Sequence, residues 1–545
     1  MKKILCMVLA AIMLLGCMAG CGSSSSTATT AAATQAAATE AAAAGETEAA
    51  AENAYADHIT ISWTEVIEQD EGNDYTQDAI YQTFAEKFNV DFDIRPLTWG
   101  NWTSNVNLYI TGMNLPDVTN WYYNYTDYAN YVEQELLYKL PSDWEERWPG
   151  VAEVYEKTGL KGVLEDENGD IYCLPVPVYF NNKPVDQMPT HIQVYARKDW
   201  IEQVTGEEVK DSYTWTELHD ILVALKEANP AGIDNFYPFD AYSSMLVQGL
   251  AYAGYEHISS GFDIYKNEDG EYVWGPGDEE TYETLERLHE WYQEGLIYPE
   301  FYNQNQGEDE DNMTIAHTTA MFCAGGLAAN YILFTNEQTQ SGLDPDESLC
   351  SFFVTDDDGV YHSAEATNYF GALIFNPDID DAKFERIMDV IEYALSVEGQ
   401  DLIFLGIEGT DFTKNDDGTY NMLHEYTTSD LYPSNRFFCT LAARADDFSI
   451  INPSYLAKAT AKQKTQYEEK YSVLNNSLAE IDWNYTNYVS DAKTSLGSQQ
   501  SNYVDEYAKL IATQGDLRSE WEAWVSDMQG YVQPVLNEMN ELYGG

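Results

Sequence analysis

The chain has 545 residues, 44% of them hydrophobic, which is sufficient for two or three domains with packed cores. It carries 92 acidic and 27 basic residues, giving a formal net charge of −65. Such a surface repels nucleic-acid phosphates and anionic lipids, so the composition argues against nucleic-acid binding and against peripheral docking on a membrane.

The N-terminus is typical of a secretory signal. Two lysines precede an apolar run from Ile4 to Leu15, and small residues then lead to Cys21. The run is shorter than the roughly 20 residues that a transmembrane helix needs. Met18–Cys21 resembles a bacterial lipobox, in which cleavage leaves the cysteine as the first residue and its thiol carries a diacylglycerol. We therefore predict a signal peptide at residues 1–20 and lipidation of Cys21; Leu14–Cys17 is a second candidate, and an ordinary secretory signal is the alternative.

The segment after the predicted lipidation site is a tether. Residues 23–56 are almost wholly Ala, Thr, Ser, Gln and Glu, with a single aromatic residue at Tyr55. Such a composition buries too little apolar surface to offset the entropy of ordering. We predict that residues 21–57 form a lipidated, disordered tether that holds the protein at the extracellular face of the bacterial cytoplasmic membrane, and that the lipid is its sole membrane contact.

Regular structure is predicted to begin at His58. Residues 58–63 and 91–94 alternate like strands, residues 75–88 and 102–110 have helical spacing, and 115–119 is a third strand. Alternating strands and helices indicate a parallel sheet with helices on its faces. Ligands of such sheets lie beyond the carboxyl ends of the strands.

Aromatic residues follow each of the three predicted strands. The chain has 13 tryptophans and 41 tyrosines, and an aromatic ring presents a flat apolar face to a sugar ring while nearby polar groups bind its hydroxyls. At these strand ends we select Trp63, Trp99, Trp121 and Tyr123 as candidate ligand contacts. Core packing is the alternative role for each.

Cysteine and histidine spacing does not predict a metal site. After Cys21 the chain has only Cys173, Cys323, Cys350 and Cys439, without Cys-x-x-Cys spacing, and we expect buried free thiols. The histidines form no His-Glu-x-x-His pattern. Neither a nucleophile elbow nor a phosphate-binding loop is present. We therefore predict no cofactor, no metal and no enzymatic activity.

Four Asx-Gly pairs predict β-hairpins between strand-like runs. They are Asn168-Gly169, Asp269-Gly270, Asp358-Gly359 and Asp417-Gly418. Their acidic surroundings do not fit the spacing of an EF-hand loop, so solvated turns are favoured over calcium sites.

The turn and strand at Asn114–Val118 match the "[DN]-x-P-D-V" segment of family 1 extracellular solute-binding proteins, the lipoprotein receptors of carbohydrate ABC importers. The family's glycine before this segment is replaced by Met113, with Gly112 one position earlier. Further segments resemble the family in the same order: Gly169–Pro175, Val194–Trp200, Thr214–Leu218, and Tyr393–Phe412, which resembles the oligosaccharide and alginate-type branch.

The resemblance implies an α/β fold of the periplasmic-binding-protein-like type II, with two α/β lobes and several hinge crossings. The first lobe is expected to comprise residues 58–193 plus 368–435, and the second 194–367 plus 436–545. Tyr369–Phe375, a buried type of strand, fits the return to the first lobe.

The implied function is a monomeric receptor that captures an oligosaccharide between its lobes and delivers it to an ABC transporter permease. Further candidate contacts are Tyr179 before the first crossing, and Asp240, Tyr242, Trp274, Tyr369 and Arg436 at or beyond it. An oligopeptide receptor, a tethered glycan hydrolase and a surface adhesin are the alternatives.

Overall fold

The computed structural model describes residues 55–67, 74–98, 100–122, 125–160, 162–166, 168–178, 183–190, 192–304, 317–424, 431–441, 451–452 and 455–544. Residues 53–545 form one compact unit. The predicted signal peptide, Cys21 and most of the predicted tether lie outside the described residues. Within those residues, no helix combines the length and apolar character needed to cross a membrane.

The strands, numbered in chain order, group into two larger sheets and several small ones. They are β1 Ile59–Val66, β2 Val90–Leu97, β3 Val118–Trp121, β4 Cys173–Pro177, β5 Ile192–Arg197, β6 Ser212–Thr214, β7 Phe239–Asp240, β8 Ile264–Lys266, β9 Tyr272–Trp274, β10 Met321–Gly325, β11 Leu349–Thr355, β12 Val360–Ala364, β13 Tyr369–Phe375, β14 Phe412–Lys414, β15 Tyr420–Met422, β16 Ile451–Asn452 and β17 Asn475–Ala479.

The α-helices are distributed over both larger sheets and the C-terminal region. They are α1 Ala79–Phe88, α2 Trp102–Thr111, α3 Tyr125–Glu133, α4 Trp144–Arg147, α5 Pro149–Lys157, α6 Lys198–Thr205, α7 Trp215–Ala228, α8 Ser243–Gly249, α9 Glu279–Gln293, α10 Ala328–Gln340, α11 Pro345–Ser348, α12 Asp381–Leu395, α13 Val397–Leu405, α14 Asn435–Phe438, α15 Tyr455–Lys464, α16 Trp483–Asn487, α17 Asp491–Gln500, α18 Tyr503–Ile511 and α19 Leu517–Tyr543.

The sheet of the first lobe has the order β2-β1-β3-β13-β4. β1 is parallel to β2 and β3, so the predicted strand–helix alternation at the start of the chain is confirmed. β13 returns from the second lobe and runs antiparallel to β3 and β4. The carboxyl ends of β1 and β3 therefore meet at one edge of the sheet.

The sheet of the second lobe has the order β6-β11-β5-β10-β7. β5 lies at its centre, antiparallel to β10 and β11. The predicted helix start at Thr214 is confirmed: the Thr214 hydroxyl accepts from the Glu217 backbone N–H while the Glu217 carboxylate accepts from the Thr214 backbone N–H, which is a capping box.

Each sheet lies in its own hydrophobic core. The first core draws on residues 61–174 and 372–441, and the second on residues 192–364 and 479–539. The predicted two-lobed α/β fold is therefore confirmed. Phe437 and Phe438 pack in the first core, where Phe438 stacks on Phe84 with ring centroids 4.0 Å apart. The sequence placed both residues in the second part of the second lobe, 436–545, whereas their packing is with the first core.

The chain crosses between the lobes more than once, and two crossings run side by side. The Val178 N–H donates to the Asn368 carbonyl at 3.0 Å, and the Ala366 N–H to the Met188 carbonyl at 2.8 Å. These bonds pair the segment after β4 with the short segment between β12 and β13. A paired connection of this kind restricts relative lobe motion to bending about a shared hinge.

Two of the four predicted hairpins form as expected. Asp269-Gly270 joins β8 to β9, and Asp417-Gly418 joins β14 to β15. Asp358-Gly359 forms a turn, but β12 then pairs in parallel with β17 instead of with β11. Asn168-Gly169 is a turn closed by a bond from the Gly169 N–H to the Asp166 carbonyl, without flanking strands.

Candidate functional site

A pocket lies at the edge of the first sheet where β1 and β3 end. It is lined by Glu65, Val66, Trp102, Asn120, Val176, Pro177, Val178, Phe370, Cys439 and Thr440. These residues come from the ends of β1, β3 and β4, the start of α2 and β13, and the turn after α14. The carboxyl ends of parallel strands are where the sequence predicted a ligand to bind.

The floor of the pocket is polar. Glu65 is 1% exposed, and its Oε1 accepts from the Asn120 side-chain amide and from the Val66 N–H. Because the Asn120 Nδ2 donates to Glu65, the amide orientation leaves Oδ1 as an acceptor. That oxygen is buried and has no hydrogen-bond partner within the described part of the chain. A buried polar atom without a partner is costly unless a ligand or water satisfies it.

Other buried polar atoms near the ends of β1 and β3 also lack a hydrogen-bond partner among the residues described. The hydroxyls of Thr64 and Thr119 and the indole N–H of Trp63 have no hydrogen-bond partner among the residues described. All three residues are fully buried. Two residues of β1, Trp63 and Thr64, and two of β3, Thr119 and Asn120, thus concentrate unmet hydrogen-bonding capacity near one edge of the sheet.

Gly371 brings the backbone of β13 close to this floor. Its φ of 75° lies in the left-handed region, and a Cβ added there would be 2.8 Å from the Trp121 carbonyl oxygen and 2.9 Å from Asn120 Oδ1. It would also be 3.2 Å from Trp102 Cη2. Glycine is therefore required both by the backbone conformation and by the space around it.

Three aromatic rings form one wall of the pocket. The Trp102 centroid lies 5.5 Å from that of Tyr122 and 5.7 Å from that of Phe370, and the Trp102 indole N–H donates to the Asn120 carbonyl at 2.8 Å. Trp102 is buried, whereas Tyr122 is 53% and Phe370 is 37% exposed. The buried tryptophan thus fixes two rings that face solvent.

Tyr122 is exposed and yet surrounded by protein. Desolvation raises the pKa of its phenol although half of its surface reaches solvent, as expected of a side chain on the wall of a cleft. Burial and then the nearby Tyr122 raise the pKa of Tyr369 to about 12. Burial, with a smaller contribution from Tyr122, also raises the pKa of Tyr252, which belongs to the second core. Tyr122 therefore faces the second lobe.

The lobes also meet at the rim. Helix α3 of the first lobe lies against α16 of the second. Asp127 on α3 is half-buried, and desolvation raises its pKa. On α16, Trp483 is partly exposed. The cleft is thus bounded by the pocket of the first lobe, Tyr252 and this helix pair.

Four first-lobe candidates from the sequence lie near this edge in different roles. Trp63 and Trp121 are buried; Trp63 packs edge-on against Phe437, with centroids 5.5 Å apart. Tyr369 is half-buried beside Tyr122, and Arg436 is half-buried on α14, one turn before the lining residues Cys439 and Thr440. Tyr369 and Arg436 are therefore placed to approach a ligand, whereas the two tryptophans support the sheet.

The second-lobe candidates are interior residues. The Asp240 carboxylate is fully buried and accepts from the Gln304 amide at 2.9 and 3.0 Å. Tyr242 is buried where α8 begins. Trp274 is 4% exposed, donates to the Tyr503 hydroxyl at 2.9 Å and packs in the second core. Trp274 therefore has a structural role, and the prediction that it contacts the ligand is not retained.

Trp99, Tyr123 and Tyr179 lie outside the described residues. The sequence reasoning overlooked Glu65, Asn120, Trp102 and Phe370. Strand periodicity could have found Asn120, because it is two positions before Tyr122 at the end of β3 and so shares a face with it. Trp102 and Phe370 carry no comparable signal, since each lies at the start of an element that looks buried.

Cys350 is a half-buried free thiol, and Cys173 and Cys323 are free and buried, as expected. Burial raises the pKa of both thiols, so neither is a reactive thiolate at neutral pH. No group of three or more His, Cys, Asp or Glu residues in the described ranges is arranged to hold a metal ion.

The arrangement of two α/β lobes around a cleft is the fold of extracellular solute-binding proteins. Solved structures with this fold include an extracellular solute-binding protein from Bifidobacterium longum subsp. infantis, 16% identical, with a TM-score of 0.62 over 90% of this chain and 99% of that one. The S. pneumoniae ABC-transporter substrate-binding protein FusA, in complex with kestose, is 15% identical, with a TM-score of 0.63 over 89% and 99%. The alginate-binding protein AlgQ2 is 13% identical, with a TM-score of 0.64 over 90% and 98%. No protein-family model and no curated protein matches the sequence.

Proposed function

We propose that this protein is a lipid-anchored receptor that captures an oligosaccharide in the cleft between its lobes and delivers it to an ABC importer. One observation carries the proposal: unpartnered buried polar atoms and solvent-facing aromatic rings lie together at the carboxyl edge of the first sheet. Polar groups that bind hydroxyls, next to rings that stack on C–H faces, are the two requirements of a sugar site.

The similar structures support the same class of ligand. FusA was solved with kestose, and AlgQ2 is an alginate-binding protein. Their fold extends over about 90% of this chain.

Closure of the lobes provides the signal to the transporter. A ligand that contacts the first-lobe pocket and the second lobe near Tyr252 binds the closed form more tightly than the open one and shifts the population toward it. A micromolar affinity requires about −8 kcal/mol. A few stacked rings and hydrogen bonds to Asn120 and Glu65 are of the right magnitude once the costs of closure are subtracted.

The proposed ligand contacts are Tyr122, Phe370, Asn120, Glu65 and Tyr369, with Arg436 at the margin. The remaining sequence candidates in the described residues are interior and are not proposed as ligand contacts. In this proposal the protein acts as a monomer and leaves the sugar chemically unchanged.

Calorimetric titration of the purified protein tests the function. We expect saturable binding of at least one member of a panel of gluco-, manno- and fructo-oligosaccharides of three to six units, without release of shorter products by chromatography. Binding of a peptide mixture but of no glycan would instead support an oligopeptide receptor, and product release would support a hydrolase.

The anchor is tested separately. The Cys21→Ser variant should lose incorporation of labelled palmitate and appear in the medium, while Cys17→Ser should change neither. Retention of the label in Cys21→Ser would contradict lipidation at this residue.

A further inference from the structure

We infer that Lys493 is a positioning residue for the cleft: its ammonium group holds helix α16, the second-lobe side of the rim, where that helix meets α3 of the first lobe. The inference rests on the proposed function, since it gives Lys493 a part in retaining the ligand between the lobes. Lys493 lies on α17, outside the pocket lining, so it acts through α16 and does not touch the ligand in the pocket.

Helix α16 is too short to be stable on its own. It has 5 residues, whereas isolated helices of fewer than roughly 12 residues are marginal in water. Its N-terminus is capped by the Asp482 carboxylate, which accepts from the Tyr485 N–H at 2.9 Å. At the other end the backbone becomes extended at Tyr488, without the left-handed residue that commonly closes a helix. The carbonyl groups of the last turn are therefore open to donors from outside the helix.

Lys493 supplies those donors. Its Nζ lies 2.6 Å from the Tyr485 carbonyl oxygen and 2.8 Å from the carbonyl oxygens of Thr486 and Tyr488. It also lies 4.7 Å from the centroid of the Tyr485 ring. An ammonium group has three N–H donors, and the helix dipole favours a cation at a C-terminus. All three donors of Lys493 therefore bind α16 or the residue that follows it.

The ammonium group is buried, and its own helix is anchored. Lys493 is 9% exposed; burial lowers its pKa to about 8, and the Asp263 carboxylate opposes this shift, so the side chain is charged at neutral pH. The Lys493 backbone N–H donates to the Ser490 hydroxyl, which caps α17. Leu496 of the same helix is fully buried in the second core. Lys493 thus joins α16 to the body of the second lobe.

One face of α16 is turned away from the second core. Tyr485 packs in that core, whereas Trp483 and Asn487 lie two positions before and after it and therefore share the opposite side of the helix. Trp483 is 38% exposed, and Asn487 Oδ1 is buried without a hydrogen-bond partner among the described residues. Because α16 lies against α3, this side of the helix is the one available to the first lobe and to a ligand between the lobes.

The placement of α16 affects how well the cleft stays closed. A contact at the rim stabilises the closed form most when both helices already hold the positions that they occupy in it, because ordering a loose helix costs entropy. The closed form retains the ligand. Loss of the Lys493 bonds should therefore appear mainly in the rate of ligand dissociation.

Dissociation kinetics test the inference with an oligosaccharide that calorimetry shows to bind. Lys493→Met keeps an apolar side chain of similar length but cannot donate, so the ligand should dissociate about tenfold faster with little change in its association rate. The matched control is Lys509→Met, which replaces an exposed lysine on α18 and should leave both rates unchanged. Equal dissociation rates for Lys493→Met and the wild type would overturn the inference.

Chemical rescue separates positioning from general stabilisation. Lys493→Ala leaves space for n-butylammonium, which should restore slow dissociation. Tetramethylammonium has the same charge but no N–H donor and should not restore it. Lys509→Ala should respond to neither cation. Dissociation that stays fast in butylammonium, or that is slowed equally by both cations, would contradict the positioning role.

A ligand-free measurement keeps this inference apart from the proposed function. In protein labelled with 5-fluorotryptophan, the fluorine NMR signal of Trp483 is the one missing from Trp483→Phe. In Lys493→Met this signal should change more than those of the other tryptophans, and an unchanged signal would count against the inference. If the wild type bound no glycan while the Trp483 signal changed as expected, the receptor function would fail and the placement of α16 by Lys493 would stand. Circular dichroism verifies that each variant is folded.

Discussion

A buried polar cluster that includes a tryptophan lies in each lobe of the described structure, and the two clusters differ in whether their hydrogen bonds are complete. In the second lobe, Asp263 accepts from the Gln500 amide at 2.8 and 2.9 Å and from the Tyr503 hydroxyl at 3.0 Å, and Trp274 donates to that hydroxyl. At the end of β1 and β3, by contrast, the oxygens of Asn120, Thr64 and Thr119 have no partner within the described chain.

The difference separates a structural cluster from a binding site. Folding alone satisfies the Asp263 cluster, so a ligand has nothing to add there. Asn120, by contrast, lines a pocket beside a pair of exposed rings, and a ligand there would complete the hydrogen bonding of its Oδ1. Residue types in the two clusters are similar, and the distinction appears only when the partners of each atom are known.

The largest expected effect is a loss of stability when a substitution breaks the cluster whose hydrogen bonds are complete. Trp274→Ala should lower the free energy of unfolding by about 3–5 kcal/mol, because it leaves a large cavity and removes a hydrogen bond to Tyr503. Urea denaturation measures this change. Trp483→Ala, which truncates a partly exposed tryptophan on α16, is the control and should cost less than about 1 kcal/mol. Equal losses in the two variants would contradict the structural role of Trp274.

The next largest effect is expected when alanine replaces one of two glycines that have similar backbone angles. Gly371→Ala should cost more stability than Gly169→Ala and weaken glycan binding tenfold or more, because the added methyl group displaces Asn120 and the Trp121 carbonyl. Gly169 has a φ of 79° and nothing within 4 Å of an added Cβ, so its substitution measures conformational strain alone, about 1 kcal/mol. Urea denaturation and calorimetry give both quantities. If both variants lost the same stability and Gly371→Ala still bound the glycan, β13 would not pack closely against Asn120 and the Trp121 carbonyl.

A smaller effect concerns the exposed rings. Phe370→Ala should weaken oligosaccharide binding about tenfold, or about 1.4 kcal/mol, while leaving the thermal midpoint within a few degrees. Tyr531→Ala removes a ring of similar exposure, 39% against 37%, from α19 and should bind normally. Calorimetry that gives the two variants the same affinity would remove Phe370 from the site.

The smallest effect is a pH dependence near the hinge. His362 on β12 bonds Glu256 at 2.7 Å and Asp356 at 3.1 Å. Burial would raise the pKa of Glu256, but bonds from His362 and Ser477 outweigh it and lower the pKa to about 2. Burial opposes the charged form of His362, but the two carboxylates outweigh it and raise its pKa.

The signs of these shifts define a window of stability. The Glu256 contribution is present above its unfolded pKa of 4.5 and is lost as pH falls toward 2. The His362 contribution is present below 6.5 and is lost as pH rises through the raised pKa. Thermal midpoints should therefore decline on both sides, and His362→Gln should flatten the alkaline limb. His219→Gln, which affects a surface pair with Glu294, is the control. An unchanged alkaline limb in His362→Gln would contradict this assignment.

Much of the fold could be predicted from the sequence because its signals are local. Alternation of apolar residues predicted β1 and β2, and helical spacing predicted α1 and α2. The predicted start of α7 and the predicted strand β13 agree with the structure within a few residues. The pairing of β12 with β17 could not be predicted, since it joins segments more than 100 residues apart.

The site was less predictable for a physical reason. Aromatic content led to the prediction of a sugar site, but Trp63, Trp121 and Trp274 are interior, whereas Tyr122 and Phe370 are exposed rings at the pocket. Exposure depends on which neighbours cover a residue, and those neighbours come from distant parts of the chain. Tyr369 and Arg436 were selected for their position near the crossings, and they do lie near the cleft.

A crystal structure with a bound neutral oligosaccharide tests the central claim most directly. We predict a sugar ring within 4 Å of Tyr122 or Phe370 and a sugar hydroxyl donating to Asn120 Oδ1 or to Glu65. A ligand bound elsewhere, with the Asn120 oxygen still lacking a partner, would contradict the account.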